Sequence, residues 1–382
     1  MIKLITGNRA AALGAVLCRP KFISAYPITP QTTISEYLAG FCADGTLNAK
    51  YMNVESEHSA LSACIGASVT GVRVFTATSS HGLALMHEML HITSFMRLPI
   101  VMVVVNRAIG LWNIHGEQTD ALSQRDTGWL QIYCENGQEV IDTVIQAYNI
   151  SEKVSLPTMV CLDGFILSHT SELVDIPEAV SVDHFLPKSK PLSKLDVKNP
   201  RMFGAPVSPE YFLEFRYKAQ EAMEKALPVV AEVDARFGEQ FGRSYGLVEG
   251  YKTEDAKLVV VSVGTAASTT RIVIDELREA GEKIGMLKIR LFRPFPKTEV
   301  IKALKHVEKV AVIDRDLSPG QGGIFAEEIR SALYSSTRKP KVYGFIAGLG
   351  GRDITPDTIR QIINITSSTD QPREITWVGL KR

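Results

Sequence analysis

The run PIVMVVVN, residues 99–106, sets apolar side chains one after another with no polar alternation. A strand with one wet face alternates apolar and polar residues, whereas a strand covered on both faces does not. This short β-branched run, bounded by Pro99 and Asn106, therefore predicts the central strand of a sheet with helices on both sides. Its neighbours repeat the grammar. KFISAY (21–26), NAKYMNV (48–54), VRVFTAT (72–78) and PTMVCLDGF (157–165) are short strand-like runs separated by helix-like segments, which is the order of a parallel α/β sheet.

From about Val174 to Pro209 the pattern dissolves into prolines, lysines and aspartates, too long a stretch for an ordinary loop and better read as an arm crossing a surface. The following segment to about Gly242 looks helical, with a break or kink expected near Pro228. A second alternation then begins, with strands expected at LVVVSVG (258–264), IGMLKIRLF (284–292), KVAVIDRD (309–316) and KVYGFIAG (341–348). The expected class is α/β with two open parallel-sheet domains. Residues 1–175 form the first, 176–250 a linker arm and connecting helix, and 251–382 the second.

Composition narrows the function classes. The 382 residues are 45% apolar and carry 42 basic and 42 acidic side chains, so no net field draws the chain to nucleic acid. No apolar stretch approaches the length of a membrane span, and the first residues run straight into a patterned helix, so a cytoplasmic protein is expected. Cys18, Cys42, Cys64, Cys134 and Cys161 are widely spaced, with no C-x-x-C pair for zinc or an iron–sulfur cluster. They read as buried reduced thiols.

Ligands of open parallel sheets collect beyond the carboxyl ends of the strands. Polar residues fall there repeatedly: Thr29 after FISAY, Glu55 and Glu57 after YMNV, Thr78, Ser79 and Ser80 at the end of VRVFTATSS, Asn106 and Arg107 after PIVMVVV, and Asp163 after PTMVCL. Each also has a plainer reading. Thr29 suits the cap of a helix starting near Gln31, Glu57 a first-turn carboxylate, and Arg107 the partner of a surface acid. Thr78 to Ser80 suit the start of a helix, and Asp163-Gly164 a turn. Familiar alternatives are missing: there is no phosphate-binding G-x-x-x-x-G-K-[ST], no G-x-S-x-G and no H-E-x-x-H, and GQGG (320–323) and GLGG (348–351) do not complete a dinucleotide fingerprint.

The blocks YPITPQTT (26–33), NVESEHSALSACIGASVTGVRVFTATSSHGLALMHE (53–88), LPIVMVVVNRAI (98–109), SQRDTGW (123–129), DGFILSH (163–169), KIRLFRPFP (288–296) and GLGGRDIT (348–355) together resemble the alpha subunit of the 2-oxoacid:ferredoxin oxidoreductases, nearest to the pyruvate type. The resemblance spans almost the whole chain. It implies a first domain forming the pyrimidine-binding half of a thiamine diphosphate site and a second domain like the C-terminal domain of transketolase. Glu57 matches the glutamate that hydrogen-bonds the cofactor's aminopyrimidine and favours its imino tautomer. Arg107 matches the arginine that meets the substrate carboxylate, and Thr29 a second substrate contact. Thr78, Ser79 and Ser80 are further candidates for holding the cofactor.

The implied reaction converts a 2-oxoacid, pyruvate first, with coenzyme A to acyl-coenzyme A and carbon dioxide. The chain lacks a G-D-G motif followed by an asparagine, the pattern that holds a metal on the diphosphate, so no metal site is assigned to it. A beta subunit would supply the diphosphate half of the site, Mg2+ and a [4Fe-4S] cluster. A gamma subunit and a ferredoxin-like delta subunit would complete the complex, with ferredoxin or another carrier accepting electrons. After Arg107 the chain departs from the pyruvate pattern, reading GLWNIHGEQTDALSQRDTGW with His115 and Gly116 (110–129). A branched-chain or aryl acid such as phenylglyoxylate, with NAD as a possible final acceptor, is therefore an alternative. A noncatalytic scaffold and a complete thiamine decarboxylase are the readings from other classes.

Overall fold

The computed structural model describes residues 1–381. Two large sheets carry the architecture. The first has seven strands in the spatial order Leu291–Arg293, Leu130–Tyr133, Thr158–Asp163, Val101–Asn106, Val74–Thr78, Phe22–Ser24 and Lys50–Met52, all parallel except the first. Every residue of Val101–Asn106 is buried, as a strand covered on both faces requires. It pairs with Val74–Thr78 on one side and Thr158–Asp163 on the other, so the carboxyl ends of the three strands lie together.

The second sheet has six strands in the order Thr376–Trp377, Lys341–Ile346, Lys309–Asp314, Leu258–Ser262, Ile284–Ile289 and Val248–Tyr251, with only the last antiparallel. Ile2–Thr6 and Ser171–Asp175 add a separate antiparallel pair. The helix Gly137–Val154 lies against the first sheet, capped by Asn136, whose side chain accepts from Glu139 N. It is buried along most of its length because the helix Gly7–Leu17 and the long helix Pro209–Phe241 both pack on it.

Three local expectations differ from the structure. IGMLKIRLF is not one strand: Ile284–Ile289 stays in the second sheet, and Leu291–Arg293 crosses to pair with Leu130–Tyr133 at the edge of the first. The crossing is fixed by buried charge. Lys288 lies 2.9 Å from Glu135 and 2.8 Å from Glu139, and Arg290 Nε lies 3.1 Å from Glu139. Leu130–Tyr133 was not foreseen, since four buried residues without turn signals carry little periodicity. The expected break at Pro228 does not occur, and Pro209–Phe241 forms one 33-residue helix. Ala226, Val230, Val233 and Phe237 bury one side of it in the core, which holds the segment helical past the proline.

The arm between that helix and the first domain exposes Leu192, Leu195, Val197 and Met202, and the start of the helix exposes Tyr211, Phe212, Leu213, Phe215 and Tyr217. No helix among the described residues is long and apolar enough to cross a membrane.

Candidate active site

Two groups of side chains form at the carboxyl edge of the first sheet. The first surrounds Glu57. Ser56 caps the helix Glu57–Ser68 by accepting from Ser59 N, so Glu57 enters in the first turn, where its charge meets the positive end of the helix dipole. Its side chain is only 7% exposed, yet it makes no hydrogen bond or ion pair with any described residue. Glu55, on the same turn, is exposed and accepts from Ser59 Oγ, so the two carboxylates have different surroundings.

Thr78 and Gly82 wall the Glu57 carboxylate. A Cβ placed on Gly82 would lie 2.5 Å from Glu57 Oε1 and 2.7 Å from Thr78 Oγ1, so only glycine lets both side chains approach this closely. Thr78 Oγ1 and Ser79 Oγ are buried without a hydrogen-bond partner among the described residues. Ser79 stands at the cap position of the helix Ser80–Leu85 but makes no side-chain cap bond, so the plain capping role is not the one seen. An unpartnered carboxylate beside the unpartnered hydroxyl of Thr78, with that of Ser79 next along the chain, offers the acceptors and donors that an aminopyrimidine would use.

The second group surrounds Arg107. Its Nε donates to Asn113 O and its Nη1 to Thr29 O, both at 2.8 Å. A guanidinium has five N–H donors, and these two contacts fix its plane while leaving the Nη2 edge unpaired among the described residues. Burial lowers the Arg107 pKa from its ordinary value, with Asp120 opposing; arginine remains charged in any case. The free edge can accept a carboxylate through two parallel hydrogen bonds.

Thr29 itself is exposed and is not the helix cap. The helix begins at Thr32 after Gln31, which makes no side-chain cap bond. The carbonyl of Thr29, rather than its hydroxyl, is what meets Arg107. Buried Asn8 steadies this turn, its Nδ2 donating to Pro30 O at 2.7 Å and to Thr33 Oγ1 at 2.8 Å. Asp163 lies elsewhere in the network: Oδ2 accepts from Thr265 N at 2.9 Å and Oδ1 from Gln118 Nε2 at 3.0 Å, so it ties the first domain to the second.

Asp120 joins the two groups and was missed in the sequence. It is fully buried, and its Oδ2 accepts from Ser80 N at 2.9 Å and from Arg107 N at 3.0 Å. Its Oδ1 accepts from Asn106 Nδ2 at 2.8 Å and from Ala121 N at 2.7 Å. Burial pushes this carboxyl up to about 6 against the pull of the four donors. Ser80, held in the left-handed region at φ 49°, also donates from Oγ to Ala108 O at 2.5 Å. An acid opening a short helical turn gives no signal in sequence that distinguishes this role. Among the described residues no group of three or more His, Cys, Asp or Glu could hold a metal ion, and all five cysteines are free.

Comparison with known families gives two matches in succession along the chain. Residues 13–235 match the thiamine diphosphate-binding domain of pyruvate flavodoxin/ferredoxin oxidoreductase, and residues 256–359 match core domain II of pyruvate:ferredoxin oxidoreductase. The pyruvate synthase subunit PorA of Methanothermobacter thermautotrophicus is 50% identical over 100% of this chain and 99% of its own length. The ketoisovalerate oxidoreductase subunit VorA of Pyrococcus horikoshii is 48% identical over 100% of this chain and 98% of its own. Among solved structures, a 2-oxoglutarate:ferredoxin oxidoreductase from Magnetococcus marinus has the same fold, with a TM-score of 0.73 at 21% identity, covering 96% of this chain and 65% of that one.

Proposed function

Because the chain belongs to the pyruvate flavodoxin/ferredoxin oxidoreductase family, we propose that it is the alpha subunit of a thiamine diphosphate-dependent 2-oxoacid:ferredoxin oxidoreductase, with pyruvate as its first substrate. The reaction joins the acyl group of the 2-oxoacid to coenzyme A, releases carbon dioxide and passes two electrons onward. The observation that carries the reading is the unpartnered Glu57 carboxylate walled by Thr78 and Gly82, Thr78 ending the strand next to the one that leads to Arg107.

Thiamine diphosphate, when bound, supplies the nucleophile and the electron sink for decarboxylation. Glu57 would accept a hydrogen bond from a protonated ring nitrogen and so set the ring's tautomer, and Thr78 and Ser79 would offer hydroxyls to its polar edge. Arg107 holds the substrate carboxylate in a fixed plane, and the Thr29 turn sets where that plane lies. Asp120 keeps the Arg107 and Ser80 backbones in register, so the two groups meet the reacting atoms together.

Mg2+, the diphosphate half of the site and the [4Fe-4S] clusters are assigned to partner beta, gamma and delta subunits, and ferredoxin to the acceptor. The exposed apolar residues between Leu192 and Tyr217 support assembly with other chains, since a patch of this kind is costly on an isolated protein. Five free cysteines suit a reducing cytoplasm. A branched-chain acid is the second reading, because relatives named for pyruvate and for ketoisovalerate are similar to this chain to almost the same degree.

The test is the purified complex assayed for 2-oxoacid-dependent reduction of a viologen dye with coenzyme A. Pyruvate, 2-oxoisovalerate and phenylglyoxylate are compared by kcat/KM. Highest kcat/KM with pyruvate is expected; preference for 2-oxoisovalerate would select the second reading, and no activity with any 2-oxoacid would reject both.

A further inference from the structure

The turn Leu349–Gly351 belongs to the second domain, following the strand Lys341–Ile346, yet it meets the loop that leaves Arg107. Asn113 Nδ2 donates to Gly350 O at 2.9 Å, Gly350 N donates to Glu117 Oε2 at 3.0 Å, and Gly351 N donates to Gly116 O at 2.9 Å. The approach demands glycine. A Cβ on Gly350 would lie 2.6 Å from Asn113 Nδ2, and the backbone there has φ 60°.

Asn113 is a junction in this contact. Its Oδ1 accepts from His115 N at 2.7 Å, and its main-chain oxygen is the one that receives Arg107 Nε at 2.8 Å. At the loop tip Leu111 and Trp112 are 85% and 92% exposed and no regular secondary structure forms; Trp112 stacks on His81 at 5.5 Å, and Ala108 N donates to His115 O at 3.0 Å.

We propose that Asn113 and the Leu349–Gly351 turn are a positioning device for the substrate carboxylate, through which the second domain fixes the orientation of the Arg107 guanidinium. The proposal rests on Arg107 being the carboxylate contact. A guanidinium clamped at Nε by Asn113 O and at Nη1 by Thr29 O loses little freedom on binding, so its free edge is ready for the anion. Asn113 and Gly350 are positioning residues and touch no reacting atom. Since the carboxylate is common to every 2-oxoacid, the device acts alike on short and long substrates.

Asn113→Ala, Asn113→Asp, Gly350→Ala, Arg107→Ala and the double variant Asn113→Ala/Arg107→Ala are prepared in the intact complex. Melting temperature and thiamine diphosphate affinity are measured beside the kinetics. Asn113→Ala, which loses two hydrogen bonds, Asn113→Asp, which loses the one to Gly350 O, and Gly350→Ala, which forces Asn113 aside, should each raise KM for pyruvate roughly 3- to 10-fold with kcat changed less. KM for 2-oxoisovalerate should rise by the same factor, and cofactor affinity should stay put. The double variant should be no worse than Arg107→Ala alone. An unchanged KM in folded Asn113→Ala or Asn113→Asp overturns the proposal, as does a double variant in which the two effects multiply. If Arg107→Ala itself leaves KM unchanged, the carboxylate assignment fails and takes the proposal with it.

Discussion

Glu57 is a residue only 7% exposed whose carboxylate has no partner among the described residues. A carboxylate left without a protein partner at the carboxyl edge of the sheet makes sense as a group awaiting a ligand. Glu57→Gln keeps the shape and removes the proton acceptor, and kcat should fall about 10²- to 10⁴-fold with little change in melting temperature. Wild-type kcat in that variant would end the cofactor assignment. Arg107→Ala should raise KM for every 2-oxoacid about 10- to 100-fold, as expected for hydrogen bonds to a charged group. Asp120 makes a pH prediction. Folding raises its carboxyl from 3.8 to about 6, so the folded state holds this proton more tightly. Its contribution to stability is therefore greatest at low pH and is lost as pH rises from 3.8 through 6. Activity should follow the opposite course, because only the ionised carboxylate can accept from all four donors, Ser80 N and Arg107 N on Oδ2 and Asn106 Nδ2 and Ala121 N on Oδ1. kcat/KM should fall as pH drops through about 6, and Asp120→Asn should flatten that limb at a lower plateau. An unaltered acid limb in Asp120→Asn would assign it to another group.

The elements that carry these residues were legible to different degrees. PIVMVVVN became the fully buried strand Val101–Asn106, and KFISAY, NAKYMNV, VRVFTAT and PTMVCLDGF each contain a strand of the same sheet. Val74–Thr78, Val101–Asn106 and Thr158–Asp163 are buried throughout, a property a single segment displays in its largely apolar run, while Lys50–Met52 at the sheet edge is partly exposed. The short strand Leu130–Tyr133 and the crossing at Leu291–Arg293 were not legible, because both depend on which distant chain lies alongside. The helix Ser80–Leu85 shows the same dependence. Its third residue, Gly82, looks like a weak helix former, but the volume its side chain would take is filled by Glu57 and Thr78. Gly82→Ala should therefore weaken thiamine diphosphate binding about 10-fold or more while the helix itself gains propensity. Cofactor titration followed by protein fluorescence would check it, and unaltered affinity would show that Glu57 can move aside.

At the scale of the molecule, the two sheets are joined by ions in the interior. Lys288, Glu135, Glu139 and Arg290 meet where the strand Ile284–Ile289 passes the helix Gly137–Val154. Burial pushes the Glu135 pKa up, yet Lys288, Ser268 and Arg271 together outweigh it and hold the carboxyl below its ordinary value. Lys288→Ala would leave two buried carboxylates short of a partner, and about 3–5 kcal/mol of stability should be lost. Calorimetry would read this as a lower melting temperature, and an unchanged one would show that Arg290 and Arg271 suffice. The sequence by itself determined the α/β class and most of the strands and set Glu57, Arg107 and Thr78 to Ser80 near strand ends, because burial pattern and position at a strand end are local properties. The role of Asp120, the use of the Thr29 carbonyl, the clasp of Asn113 on Gly350 and the ion network between the sheets were decided only in the tertiary structure. Each is a hydrogen bond or ion pair between segments far apart in the chain, and no local spacing encodes which donor will face which acceptor.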